Sequence, residues 1–360
     1  MSPDFWSGKR VLVTGHTGFK GAWLSFWLAE MGADVTGFAL APETDPNLSV
    51  LLDLNGWINS RIADINDAAA VANVLQEAKP EIIFHLAAQA LVRRSYSQPA
   101  ETFATNVVGL VNLLHAASES DSVKAVVIAT SDKCYENREW MWGYRENDPM
   151  GGHDPYSASK GCAELAAASM RRSYFGAGGH PAQIATVRAG TVVGGGDWSD
   201  DRLIPDIVRG CLGDSGCVEL RSPNSVRPWQ HVLEPLCGYM QLAEQLANES
   251  ANDREGFDSG WNFGPDRSDE RPVVDVATAV VDALGRGRVD IASDAPELHE
   301  AKMLRLDSSK ARTDLGWRPA LSFDDTVRLT ADWYGKWSHG SSVPDLCRNQ
   351  IQTYMTKLRG

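Results

Sequence analysis

Residues 10–31 read RVLVTGHTGFKGAWLSFWLAEM, and the fold turns on them. Arg10 to Thr14 is a short apolar strand, and Ala22 to Met31 carries an apolar stripe at helical spacing. Between them runs Gly15-His16-Thr17-Gly18-Phe19-Lys20-Gly21, with its glycines spaced GxxGxxG rather than GxGxxG. Strand, glycine-rich turn and helix in that order open a dinucleotide-binding unit. The glycines let the backbone approach a pyrophosphate, and the helix N-terminus favours the anion. Lys20 either touches the phosphates or is a solvated lysine of the first turn.

Further along, the same alternation repeats. Asp34 to Phe38 is the second strand, and Phe38-Ala39-Leu40-Ala41-Pro42 follows it with neither acid nor arginine. An acid there grips the adenosine ribose in this type of unit, and an arginine accepts a 2′-phosphate. Their absence favours NAD, held more loosely at the ribose. Asp64-Ile65 meets the adenine, unless it serves the cap of a helix opening near Asn66 or Asp67. Glu81 to Leu86 is the fourth strand, and Ala87-Ala88-Gln89 leaves room for the nicotinamide-side ribose beside Leu86. His85 reads as a satisfied buried histidine rather than a catalyst. Thr102 to Ser118 is a helix in which Asn106 fixes a strand-end backbone. Ala125 to Ala129 and Gln183 to Arg188 complete the strands. Strands alternating with helices indicate an α/β fold, a Rossmann-type doubly wound parallel sheet.

A second stretch carries the chemistry. After Ala129 stand Thr130, Ser131, Asp132 and Lys133, and Tyr156 and Lys160 come later, four residues apart and so on one helix face. A hydroxyl, a carboxylate, a phenol and two amines suit proton and hydride chemistry on a sugar.

Beyond Arg188 the pattern changes to a glycine-rich loop, Ala189 to Trp198, and then a short helix from Leu203 to Cys211. Leu220-Arg221-Ser222-Pro223 and Arg227-Pro228-Trp229-Gln230-His231 are dense in arginine and rings. Arginines beside apolar and aromatic residues suit a pyrophosphate and a stacked base better than a surface ion-pair cluster. The expected organisation is an NAD-binding domain over 1–188, to which 229–260 returns. A smaller mixed α/β substrate lobe takes 189–228 and 261–335, and 336–360 form a C-terminal extension.

Composition sets outer limits. The 360 residues suffice for two domains, and 43% hydrophobic with 22% charged residues is globular. A net charge of −13 argues against nucleic acid. The six cysteines form no CxxC pair and no zinc spacing, so no metal is expected. The start, MSPDFWSGKR, lacks the apolar centre of a signal peptide, and no run is long enough to span a bilayer, so a cytoplasmic protein is expected.

These pieces resemble the extended short-chain dehydrogenase/reductase family over about residues 5 to 335. The stretches VTGHTGFKGAWL, AAQALVRRSY, TSDKCYENREWMWGYRENDPMGGHDPYSASKG and SVRPWQHVLEP carry the likeness. The Ser131-Asp132-Lys133 triplet marks the 4,6-dehydratase branch, and GHTGFKG with WMWGYREND narrows it to the kind acting on CDP-glucose. The resemblance implies a hydro-lyase that converts CDP-glucose to CDP-4-keto-6-deoxyglucose for deoxysugars of surface polysaccharide. Sugar C4 is oxidised, water leaves across C5 and C6, and hydride returns to C6.

In that scheme Ser131 holds O4, Tyr156 takes the O4 proton, and Lys160 lowers the Tyr156 phenol pKa. Asp132 protonates the departing C6 hydroxyl. Lys133 stands where dTDP-glucose relatives carry a glutamate base at C5, and the CDP-glucose branch carries lysine there. To act as a base near pH 7, the Lys133 pKa must fall by roughly 3.4, about 4.6 kcal/mol. Otherwise it stays charged and stabilises the C4 enolate. The implied NAD contacts are Gly15 to Gly21, Asp64, Ile65, Leu86 to Gln89, Asn106, Thr130, Tyr156, Lys160 and Arg188. The implied sugar-nucleotide contacts are Gln89, Arg93, Ser131, Thr191, Trp198, Arg202, Leu203, Leu220, Arg221, Arg227 and Trp229.

One position departs: the related pattern reads RAGN, and here Arg188-Ala189-Gly190-Thr191 offers a hydroxyl in place of the amide. The resemblance also implies a homodimer through Thr102–Ser118 and Ser157–Tyr174. Rival readings are a dehydratase for another nucleotide hexose, a sugar-nucleotide 4-epimerase and a non-catalytic NAD-sensing scaffold. An epimerase needs no acid at Asp132, and a scaffold tends to lose Tyr156 or Lys160.

Overall fold

The alternation read from the sequence builds one parallel sheet of seven strands. In the computed structural model, which describes residues 2–176, 179–213, 216–248, 256–292 and 303–359, these are β1 (Arg10–Thr14), β2 (Asp34–Ala39), β3 (Asn59–Ile62), β4 (Ile82–His85), β5 (Ala125–Ala129), β6 (Gln183–Ala189) and β7 (Gly260–Phe263). Their order across the sheet is β7-β6-β5-β4-β1-β2-β3, every neighbour parallel. The chain leaves β1 first towards β2 and later returns to place β4 on its other side. That reversal opens a crevice at the carboxyl ends of β1 and β4, where such sheets bind ligands.

Strand periodicity sorts the core into two layers. Val11, Val13, Ile82, Phe84 and Val127 face one side, with α1 (Phe19–Glu30). Leu12, Ile83, Val126 and Ile128 face the other, with α2 (Ala68–Ala78), α3 (Gly109–Ser118) and α4 (Pro155–Tyr174). Adjacent residues thus enter opposite cores, as a side-chain period of two requires.

Among the described residues past β6, the chain forms α5 (Leu203–Leu212), α6 (Leu233–Leu246), α7 (Val273–Leu284), α8 (Phe323–Ser338) and α9 (Val343–Arg359) with three two-stranded sheets. The helix expected over Thr102–Ser118 is interrupted by a π-helical turn at Ala104–Val108. Three expected boundaries fall inside elements: 188/189 in β6, 260/261 in β7 and 335/336 in α8. The strand at 260/261 runs on to Phe263, paired with β6, while 249–255 and 293–302 lie outside the described residues.

The last helix, α9, packs against α1 and α6. The Tyr354 ring meets Trp27 edge-on at 5.8 Å, and its hydroxyl donates to Glu234 Oε2 at 2.9 Å. No helix among the described residues is long and apolar enough to cross a membrane.

Candidate active site

The crevice at the end of β1 is lined by backbone. A Cβ on Gly15 would lie 2.7 Å from Ala87 N, and one on Gly21 would collide with Gly15 O, so the turn tolerates no side chain at either position. Gly18 caps α1 without a side-chain hydrogen bond, which leaves the first N–H groups of that helix available. Such a cradle fits an anionic diphosphate. The side chains of the loop are otherwise committed. His16 is buried, its Nε2 2.8 Å from Ser60 Oγ, and burial pushes its pKa down to about 4. Thr17 Oγ1 donates to Leu40 O at 2.9 Å. Lys20 is half-buried and faces the neighbouring cleft. Burial, helped by the charge of Arg202, pulls it down to about 8.

That cleft, of about 870 Å³, lies between the residues that follow β4 and β5 and the segments that follow β6. Ser131, Asp132, Lys133 and Tyr156 all line it. The Ser131 hydroxyl donates to Asp132 Oδ1 at 3.0 Å and accepts from Lys133 N at 3.1 Å, which turns the chain sharply after β5. Asp154 caps α4 by accepting from Ser157 N and Oγ, and so fixes the start of the helix that presents Tyr156.

Tyr156 and Lys160 do share a face of α4, yet their electrostatics differ from expectation. Burial drives the phenol up to about 12, against the pull of the adjacent Ser131 hydroxyl. Burial likewise lowers the Lys160 amine to about 8, and its Nζ donates to Ala129 O at 3.3 Å. Loss of hydration is the largest influence on both groups. His85 is the satisfied histidine that was expected: Nδ1 is 2.8 Å from Thr14 Oγ1, and burial takes it down to about 3.

Several residues expected to contact NAD also have partners within the fold. Asn106 Nδ2 donates to Gln89 O at 3.0 Å and Ser159 Oγ at 2.8 Å, while its Oδ1 accepts from Gln89 N at 2.9 Å. It fixes the backbone after β4, as expected, and its own amide is then occupied. Gln89 folds back on Leu91 and Thr102 rather than into the cleft. Asp67 caps α2, and exposed Asp64 accepts from Asn66 N. Ile65 is buried in the α2–α3 core, and Asn112 Nδ2 donates to its carbonyl at 3.2 Å.

Two positions need correcting. Arg188 points away from the crevice: Nε and Nη2 donate to Glu164, and Nη1 donates to Tyr135 OH at 2.6 Å and Glu146 O at 2.9 Å. A guanidinium so enclosed has no edge left for a nucleotide. Trp198 is not among the cleft residues. Its ring packs against Tyr334 and Trp337, with centroids at 5.2 and 4.7 Å. Thr130 lines the cleft, but its hydroxyl donates to Glu164.

The remaining expected substrate residues, Arg93, Thr191, Arg202, Leu203, Leu220, Arg221, Arg227 and Trp229, line the same cleft. Arg202 Nη1 donates to Asp197 Oδ2 at 3.0 Å, and Trp229 Nε1 donates to Arg271 O at 2.9 Å. Reading along the sequence missed Glu164, Asp154, Asp197 and Asp201. The Asp-Pro-Tyr-Ser order at 154–157 was a legible capping signal for Asp154. Asp197 pairs with Arg202 close by in the chain, whereas Glu164 and Asp201 have their partners in Arg188 and Arg221, too far along the chain to be inferred.

The chain matches the family model described as GDP-mannose 4,6 dehydratase over residues 12–330. It is 49% identical over 359 residues, 99% of both chains, to a CDP-glucose 4,6-dehydratase of Salmonella typhimurium. Among solved structures it is similar to a dTDP-glucose 4,6-dehydratase of Streptomyces venezuelae with NAD bound: 25% identity, TM-score 0.76, covering 91% of this chain and 97% of the other. A UDP-glucose 4-epimerase of Thermotoga maritima gives TM-score 0.77 at 21% identity, covering 91% and 99%.

Proposed function

The chain belongs to the GDP-mannose 4,6-dehydratase family, and from that premise we propose that it dehydrates CDP-glucose to CDP-4-keto-6-deoxyglucose with NAD as its resident cofactor. The observation that carries the reading is the meeting of Ser131, Asp132, Lys133 and Tyr156 in one cleft beside the glycine cradle. A simple epimerase shares the fold but has no task for an acid at Asp132. The relative from Salmonella typhimurium supports the nucleobase.

The glycine turn at Gly15–Gly21 and the open end of α1 would hold the cofactor diphosphate. NAD bound there would supply the hydride acceptor for oxidation at sugar C4 and the hydride for reduction at C6. Ser131 orients O4 and Tyr156 accepts its proton. The phenol stands at about 12 with the Ser131 hydroxyl already pulling it down, and its further lowering is the task this reading gives to the charge of Lys160.

Once C4 is a ketone, the C5 proton becomes acidic. Lys133 either removes it or, as an ammonium, stabilises the enolate. Asp132 gives a proton to the C6 hydroxyl, which leaves as water. The arginines and Trp229 of the smaller lobe bind the sugar nucleotide. Thr191 alters a sugar-side contact. The same reading places the protein in the cytoplasm as a homodimer. Val108, Leu165 and Tyr174, apolar and exposed on the pairing segments, support the second point.

Incubation with NAD and glucose linked to CDP, dTDP, UDP or GDP, followed by mass spectrometry, tests the reading. Loss of one water is expected from CDP-glucose first; no loss from any of the four contradicts it.

A further inference from the structure

The cleft holds carboxylates that this chemistry leaves unused. Asp201 Oδ1 accepts from Arg221 Nη1 at 2.9 Å and lies 3.7 Å from Arg93 Nε. The two arginines come from opposite sides. Arg93 is on the short helix Val92–Ser97 that follows β4, and Arg221 follows the strand Cys217–Leu220 in the smaller lobe. Arg221 also lies 3.7 Å from Asp206 Oδ2. Arg93, Arg221, Asp201 and Asp206 all line the cleft.

A carboxylate shared by two guanidinium groups offers them the chemistry that a phosphate would. We propose that Asp201 is an internal competitor for the diphosphate of the sugar nucleotide, holding Arg93 and Arg221 across the cleft until phosphate oxygens displace it. The proposal rests on the sugar-nucleotide reading above. Asp201 is suited to leave: its side chain is 39% exposed, and pairs so exposed are weak. Asp197 contrasts with it, being 5% exposed beneath Arg202 and part of the cleft floor.

If Asp201 instead steadied the arginines for the ligand, removing its charge would weaken binding. The two roles therefore differ in sign. Asp201→Asn keeps the shape and removes the charge, and Asp201→Ala removes both. Calorimetry on the full chain with CDP, inorganic pyrophosphate and cytidine should show CDP and pyrophosphate binding about three- to tenfold tighter in both variants. Cytidine, which lacks phosphate, should bind as before, and adding Arg221→Gln should abolish the gain. Unchanged or weaker diphosphate binding in both variants overturns the proposal, as does a gain that extends to cytidine. UDP and dTDP in the same series separate this inference from the substrate reading. A parent that prefers one of them discards CDP-glucose, and the comparison is then made on the diphosphate that binds. If no diphosphate binds either parent or variants, the inference falls as well.

Discussion

Arg188 grips Glu164 through both carboxylate oxygens, Nε to Oε1 at 2.7 Å and Nη2 to Oε2 at 2.8 Å, with both side chains buried. Glu164 also accepts from the hydroxyls of Thr130 and Thr186. Burial works to raise its carboxyl, but Arg188 and these hydroxyls win and hold it below the usual range. The pair joins α4, which carries Tyr156 and Lys160, to the residues that carry Ser131. Through Tyr135 it reaches Asn262 on β7, since the Tyr135 hydroxyl donates to Asn262 Oδ1 at 2.7 Å.

Breaking one half of this pair should be costly. Glu164→Gln leaves a buried guanidinium without its counter-charge, and a loss of about 3–5 kcal/mol is expected in urea unfolding. Glu164→Gln with Arg188→Met should lose less than the sum of the two single changes. Additive losses would show that the two residues do not act as a pair.

Tyr156 and Lys133 should fail at different steps. Tyr156→Phe removes the proton acceptor for O4 and should lower turnover about 10²–10⁴-fold, with no reduced-nicotinamide absorbance on mixing with CDP-glucose. Lys133→Met keeps the stem and loses the amine. It should still oxidise C4 and so accumulate that absorbance, while solvent deuterium enters C5 more slowly than in the parent. Near-parent dehydration by Lys133→Met would make Lys133 a binding residue and remove it from the C5 step.

Glu234 predicts a pH dependence of stability. Burial raises its carboxyl to about 7, against the donors Leu321 N, Tyr354 OH and Ala320 N that pull it down. The folded chain then holds this proton more tightly than the unfolded one. Its contribution is full below the ordinary carboxylate value and is lost as pH rises through about 7. At 1.36 kcal/mol per unit, the loss between pH 5 and 8 is about 3 kcal/mol. Urea midpoints of parent and Glu234→Gln should diverge across that interval, the parent losing more. Parallel curves would show that the carboxylate stays ionised when folded.

Much of this was legible in sequence because it is local. The glycine turn, the residues following β5 and the Tyr156–Lys160 spacing each depend on neighbours within one or two turns. Arg188 was misread because an arginine at a strand end looks like a ligand contact until its partner is known. That partner, Glu164, is on a helix whose face cannot be paired with β6 from spacing alone. Trp198 was misread for a similar reason, its neighbours Tyr334 and Trp337 lying far along the chain. The elevated Tyr156 phenol depends on burial, which only packing determines. The π turn at Ala104–Val108, which carries Asn106, leaves no mark in the helical periodicity.

The central claim is an internal hydride transfer coupled to loss of water, and a labelled substrate reports it directly. CDP-glucose deuterated at C4 should give, with NAD present, a product one water lighter that keeps its deuterium at C6 and takes a solvent proton at C5. Deuterium lost to solvent, or found again at C4 of an epimerised sugar with no water removed, would contradict the account.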